Sequence, residues 1–195
     1  MADDVTFYFD PSCPYTWQTS RWLCEVTEPR GHTIAYRLMS LAILNEGKTI
    51  PYEYREQAAA SMRAVRIMFA TLRQHGNDAV GTLYREFGPR FFDGASIDDA
   101  LAAALKAANL PAALANSATD ESLDAPIHAS HDESQERAGE EAGSPITCIG
   151  DGPGFFGPVV VPVPQGEAAE KLYDAVRLLS AVPEFSELKR ARAEL

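Results

Sequence analysis

Val5-Thr6-Phe7-Tyr8-Phe9-Asp10-Pro11-Ser12-Cys13-Pro14-Tyr15-Thr16 is the stretch on which the fold turns. Its first five residues are β-branched or aromatic, as in a strand, and Asp10-Pro11 stops them. Pro14 suits a first helical turn, where a missing N–H costs no bond. Tyr15 to Glu28 then carries Trp17, Leu23 and Val26 at loosely helical spacing until Pro29 and Gly31 end it. From Thr33 to Leu41, Ile34, Tyr36 and Leu38 alternate with Thr33, Ala35 and Arg37, which predicts a second strand. Strand, helix, strand within about forty residues is the size of a βαβ unit.

Cys13 therefore sits between a strand end and a helix start. Unpaired N–H groups and the helix dipole favour the thiolate there, and bring a thiol pKa from about 8.5 into the range of roughly 3.5–7.5. Such a residue is a nucleophile at neutral pH. Thr16, three residues on, has a hydroxyl and a backbone N–H able to donate to the sulfur. The plain alternative is a cysteine that only packs.

Outward from this motif the chain changes character. Pro51 to Ala142 offers no convincing strand, whereas Met62, Val65, Phe69 and Leu72, and again Ile97, Leu101, Leu105 and Ala108, recur at helical spacing. Ser96 can cap the second of these helices, with Asp98 and Asp99 at the positive end of its dipole, and Leu110-Pro111 ends it. A polar helix is predicted from about Asp124 to Glu141, closing at Gly143. Strand character returns at Ile146 to Ile149 and Phe156 to Val161, on either side of the turn-rich Gly150-Asp151-Gly152-Pro153-Gly154, which predicts a hairpin. A last helix begins near Pro164 and Gly166, with Ala168, Leu172, Ala175, Val176 and Leu179 as its apolar stripe. The charged tail from Glu187 to Leu195 is expected to fray.

The chain has 195 residues, 46% of them hydrophobic and 23% charged, an ordinary globular composition. Its 28 Asp and Glu against 17 Lys and Arg leave a net charge of −11, which argues against nucleic acid or an anionic membrane surface as partner. Eight acidic residues against the single Arg137 lie between Asp120 and Ala142, so much of that charge belongs to the polar helix. No apolar run is long enough to cross a bilayer, and Met1-Ala2-Asp3-Asp4 opens acidic where a secretory signal opens basic. Three cysteines are too few for a disulfide framework, and a cytoplasmic, reducing setting is expected.

Ser144-Pro145 opens the strand after the helical block. A cis bond is found before only about 5–6% of prolines, but together with Cys13-Pro14 this position points to one. Strand, C-P-Y-T at a helix start, strand, helices, Ser144-Pro145, hairpin and helix is the arrangement of thioredoxin-like proteins, whose proline loop faces the active cysteine and pairs its backbone with the thiol partner. The expected fold is α/β, a thioredoxin-like core (βαβ…ββα) of residues 1–50 and 143–195 with an all-helical insertion over 51–142, integrated as one domain.

The sequence resembles the cytoplasmic DsbA-like family that includes the mycothiol-dependent nitroreductases, along nearly its whole length. The stretches that carry the resemblance are F-Y-F-D-P-S-C-P-Y-T-W-Q-T-S-R-W-L from Phe7, M-S-L-A-I-L-N-E from Met39, Y-R-E from Tyr54 and G-S-P-I-T from Gly143. F-F-G-P-V from Phe155, G-E-A-A-E-K-L-Y-D-A from Gly166 and E-L-K-R-A-R from Glu187 complete it. It implies Cys13, Thr16 and Pro145 as the catalytic set, with Pro14, Tyr15, Trp17 and Ser144 on the substrate side. Ser130-His131 matches the family pattern before the proline loop, which puts His131 at the cleft border. The implied co-substrate is the small thiol mycothiol, with no tightly bound cofactor; substrates are small-molecule or protein disulfides, and dimers occur in the family.

One departure matters. Where dithiol members have C-P-x-C, this chain has Cys13-Pro14-Tyr15-Thr16, so the resolving thiol is missing and the chemistry left is monothiol exchange. Cys24 lies three helical turns away, about 16 Å along the axis, and Cys148 falls on a central strand, so both read as packing residues. His128, His131, Asp124 and Asp132 could form a zinc cluster, but a solvated face is the simpler reading and no metal is expected. The glycines at 150, 152 and 154 lead into a strand rather than a helix N-terminus, which removes a phosphate site. Trp22 reads as core. Two other functions stay open: a kappa-class glutathione-transferase or chromene-carboxylate-isomerase type of enzyme, binding a thiol without covalent exchange, and a binding module for a thiol or peptide.

Overall fold

A run of β-branched and aromatic residues forms the first strand, β1 (Val5–Phe9). Val5, Phe7 and Phe9 are fully buried, and Phe7 and Phe9 stack at 6.1 Å with Tyr36 edge-on to both. Tyr8, on the opposite face, is buried as well. We describe residues 5–49 and 52–192 from a computed structural model. The acidic opening Met1–Asp4 lies outside the described residues, as do the side chains of Tyr54-Arg55-Glu56.

The described residues fall into two compact units. The first holds Cys13–Arg37 with the stretches up to Phe9 and from Glu133 onward; the second holds Asp10–Ser12 and Leu38–Asp132.

In the first unit β1 leads to α1 (Pro14–Thr27) and then to β2 (Ile34–Leu38). Later in the chain come β3 (Ile146–Ile149), β4 (Phe155–Phe156) and the last helix, which runs Gly166–Ser180. The sheet order is β2-β1-β3-β4, with β3 antiparallel to β1 (Tyr8 opposite Ile146) and to β4 (Ile146 opposite Phe156). All four residues of β3 are buried, as a central strand requires. Trp22, Leu23 and Val26 bury the inner face of α1, and the Trp22 indole donates to the Ala169 carbonyl at 3.1 Å. Burial of side chains this size stabilises by about 1.5–3 kcal/mol each. The Glu25 carboxylate accepts from the Gly166 N–H at 3.1 Å and so caps the last helix from across the unit.

The second unit is helical: α2 (Leu41–Leu44), α3 (Tyr52–His75), α4 (Asn77–Phe92), α5 (Ile97–Ala107) and the first part of α6 (Asp124–Ala138), with 3₁₀ turns at Ala112–Thr119 and Glu121–Leu123. The last helix of the first unit is accordingly α7. Ser96 caps α5 as its sequence foretells, accepting from the Asp99 N–H at 3.1 Å. Arg66 grips Asp124 through both guanidinium arms at 2.7 Å, which holds the Asp124 carboxyl below the usual range. Asp10, fully buried, accepts from the Ser12 N–H at 2.8 Å, the Leu41 N–H at 2.8 Å and the hydroxyls of Ser12 and Ser61. Four donors are what a buried carboxylate requires.

The structure differs from the sequence reading at five places. The second strand stops at Leu38 because Ser40 turns the chain into α2, its hydroxyl accepting from Ala42 and Ile43. A helix the periodicity did not single out, α4, follows directly on α3, after Gly76 at φ +86°. The polar helix ends at Ala138, with Gly139 at φ +94°. The hairpin's second strand is only Phe155–Phe156, since Pro158 and Pro162 cannot donate to a ladder. In α7 the buried positions are Ala169, Tyr173, Val176 and Ser180, while Ala168 and Ala175 are exposed. Tyr173 sets that rotation: it packs on Trp22 and its hydroxyl meets His32 Nδ1 at 2.9 Å.

Candidate active site

The strand-to-helix junction puts Cys13 at the N-cap of α1 in extended conformation (φ −81°, ψ 117°), with Pro14 in the first turn. Pro14 has no N–H to leave unpaired, and the Cys13 carbonyl starts the helix by accepting from the Trp17 N–H at 3.1 Å. The thiol makes no side-chain capping bond to the helix. Its sulfur instead lies 3.5 Å from the Ser144 carbonyl oxygen, a long contact in which the S–H donates. Ser144 is the residue before Pro145, and the bond between them is cis. The Pro145 carbonyl accepts from the Gly157 N–H at 2.8 Å, so the proline loop is fastened to the chain just past β4.

Thr16, one turn into α1, is fully buried, and its hydroxyl pairs with that of Ser144 at 2.7 Å. The motif and the proline loop are thus joined twice, sulfur to carbonyl and hydroxyl to hydroxyl. The Ser144 partnership was not legible in the sequence, because the two residues lie 128 positions apart. Cys13 is 6% exposed, Trp17 is 7% exposed with the Arg21 guanidinium over its ring, and Tyr15 is half-buried.

His131 belongs to the second unit, on α6, where it is buried rather than on a solvated face. Its Nδ1 faces the Ser40 N–H at 3.4 Å, and burial lowers its pKa. Asp124 is taken by Arg66, and exposed His128 lies 3.7 Å from Glu46. Among the described residues no group of three or more His, Cys, Asp or Glu is placed to hold a metal ion. None of the three cysteines is in a disulfide. Cys24 meets the Tyr36 hydroxyl at 3.7 Å. Cys148 is fully buried; burial pushes its thiol pKa up, and the nearby Arg137 guanidinium pulls the other way. The glycine-rich turn serves packing: a Cβ on Gly154 would come within 2.9 Å of the Cys148 sulfur, and one on Gly152 within 3.0 Å of the Ser180 carbonyl.

Known proteins share this architecture. The family model described as Rv2466c-like, mycothiol-dependent nitroreductase Rv2466c, matches residues 12–190. The uncharacterized protein Rv2286c of Mycobacterium tuberculosis is 32% identical over 199 residues, spanning 97% of this chain and 82% of that protein. Among solved structures, a DsbA of Chlamydia trachomatis superposes with a TM-score of 0.54 at 15% identity, covering 93% of this chain and 91% of its own. A 2-hydroxychromene-2-carboxylate isomerase does so with a TM-score of 0.59 at 15% identity, covering 91% and 95%. At these identities the likeness is one of fold, the DsbA-like thioredoxin fold. No helix among the described residues is long and apolar enough to cross a membrane.

Proposed function

The chain belongs to the Rv2466c-like family of mycothiol-dependent nitroreductases, and from that premise we propose that it is a monothiol oxidoreductase in which Cys13 exchanges with a low-molecular-weight thiol, mycothiol. The observation that carries the reading is the Cys13 sulfur at a helix N-cap, 3.5 Å from the carbonyl before Pro145. On this reading the Cys13 thiolate attacks one sulfur of a disulfide, forming a protein–thiol mixed disulfide and expelling the other sulfur as thiolate. A second small thiol then attacks the mixed disulfide, freeing Cys13 and leaving as a new disulfide, with its proton passing to solvent. The helix dipole favours the thiolate in the first step and makes Cys13 a good leaving group in the last.

Thr16 stands where a dithiol enzyme keeps its second cysteine, so release depends on the external thiol. Nitro-group reduction fits the same cycle. Cys13 and one small thiol join as a disulfide, and their two electrons and two protons convert a nitro group to nitroso and water. We place the residues over 51–142 as an all-helical insertion in a thioredoxin-like core, and the protein in a reducing cytoplasm. Pro14, Tyr15, Trp17, Ser144 and His131 are proposed on the substrate side.

The test is mass spectrometry of reduced protein treated with mycothiol disulfide. The expected result is one mycothiol adduct mapped to Cys13 and removed by excess mycothiol. An intact, titratable Cys13 thiol with no adduct would favour non-covalent thiol activation, as in the transferase and isomerase type of enzyme.

A further inference from the structure

The segment after α7, residues 181–192, contains neither helix nor strand, yet it is fastened at two places. Phe185 packs edge-on against Phe155 at 5.6 Å. Farther on, the Arg192 guanidinium lies over two rings at once, 5.2 Å from the centroid of Tyr15 and 5.3 Å from that of Phe156. These two rings mark the two sides of the thiol site. Tyr15 is the third residue of C-P-Y-T. Phe156 stands opposite Ile146 in the sheet, and its ring lies so close over Gly143, the first residue of the proline loop, that a Cβ there would meet it at 3.3 Å. Arg192 thus spans from the cysteine turn to the proline loop. Cys13 is only 6% exposed, so a disulfide long enough to lie along the proline loop and reach that sulfur needs the covering groups to move.

We propose that the C-terminal segment is a latch on the thiol site: Arg192 lies across Tyr15 and Phe156 in the resting protein and lifts off to admit the disulfide substrate. This rests on the reading of Cys13 as the reacting thiol. Arg192 is itself exposed, and cation–π contacts at exposed sites are weak, so the latch opens readily and a ligand's apolar or aromatic portion competes for the same two ring faces. Phe185 keeps the segment tethered when Arg192 is off, which makes reclosure an intramolecular event.

The test compares the native protein with Arg192→Ala and Arg192→Lys in their reaction with 4,4′-dithiodipyridine, an uncharged aromatic disulfide. Attack by the Cys13 thiolate forms a mixed disulfide with one thiopyridine and releases the other as 4-thiopyridone, which is followed by absorbance. The site is mapped by mass spectrometry to separate Cys13 from Cys24. Arg192→Ala is expected to react at Cys13 about three- to tenfold faster, with Arg192→Lys close to native and thermal stability unchanged. Equal or slower reaction of Arg192→Ala at Cys13 overturns the latch and leaves the exchange reading standing. Failure of Cys13 to react in all three proteins overturns both.

Discussion

Cys13 and Cys148 belong to the same unit and are both buried, but their surroundings differ in kind. Cys13 stands at the N-cap position of a helix without a side-chain bond to it, and its sulfur faces one carbonyl of a proline loop. Cys148 lies within β3, packed under Gly154 and beside Arg137, in a cluster where the Tyr8 hydroxyl donates to Glu133 at 2.6 Å. Burial alone therefore does not distinguish the two sulfurs. The backbone does: Cys13 stands at a helix start, where the first N–H groups have no partner within the helix, whereas the ladder around Cys148 has its N–H groups engaged.

Removing each sulfur in turn is the strongest way to break this contrast. Cys13→Ala is expected to lose thiol exchange altogether, and Cys148→Ala to keep it, measured as the rate of mixed-disulfide formation with mycothiol disulfide. Exchange that survives Cys13→Ala and fails in Cys148→Ala would reverse the two assignments.

Crowding Cys148 comes next in size. In Gly154→Ala the new Cβ meets the Cys148 sulfur at 2.9 Å and Ile146 at 3.0 Å, so a loss of about 1–3 kcal/mol is expected in denaturant unfolding. Adding Cys148→Ala to Gly154→Ala recovers part of that loss. No recovery would mean that Ile146, rather than the sulfur, fixes the glycine.

The same contrast shows which features the sequence discloses. Cys13, Pro14 and the strand before them were legible because strand end, N-cap and first helical turn are local events; so were the Ser96 cap and β3. What escaped depends on distant partners. Asp10 draws its donors from Ser12 nearby but also from Leu41 and Ser61. The face α7 buries is chosen by Tyr173 against Trp22 and His32, not by its aliphatic stripe. Thr16 pairs with Ser144 across the unit, 128 positions away in the chain.

Alkaline pH probes the Cys148 cluster as a whole. Burial raises the pKa of Cys148 above its ordinary 9.0, and burial with the Glu133 hydrogen bond raises that of Tyr8 above its ordinary 10.0. Each group stays protonated in the folded chain at pH values where the unfolded chain releases its proton. Their contribution is therefore complete below about pH 9 and declines above it, with a slope approaching about 1.4 kcal/mol per pH unit per group. Thermal unfolding followed from pH 8 to 11 should show the decline, and Tyr8→Phe should flatten its upper part. An identical slope in Tyr8→Phe would remove Tyr8 from the account.

A smaller effect is expected at the proline loop. Thr16→Val keeps the shape of the side chain but removes the 2.7 Å bond to Ser144, which costs about 1 kcal/mol. Urea unfolding of Thr16→Val and of the Thr16→Val, Ser144→Ala pair checks it: the second change should add little once the first is made.

The central claim is that its place at the start of α1 makes Cys13 the reactive sulfur. Its most direct test is the pH dependence of iodoacetamide labelling at Cys13, mapped by mass spectrometry in the native protein. A midpoint below that of the same thiol in the urea-unfolded chain is predicted, with Cys148 unlabelled throughout in the native protein. A midpoint at or above that of the unfolded chain, or labelling of Cys148 ahead of Cys13, would contradict the claim.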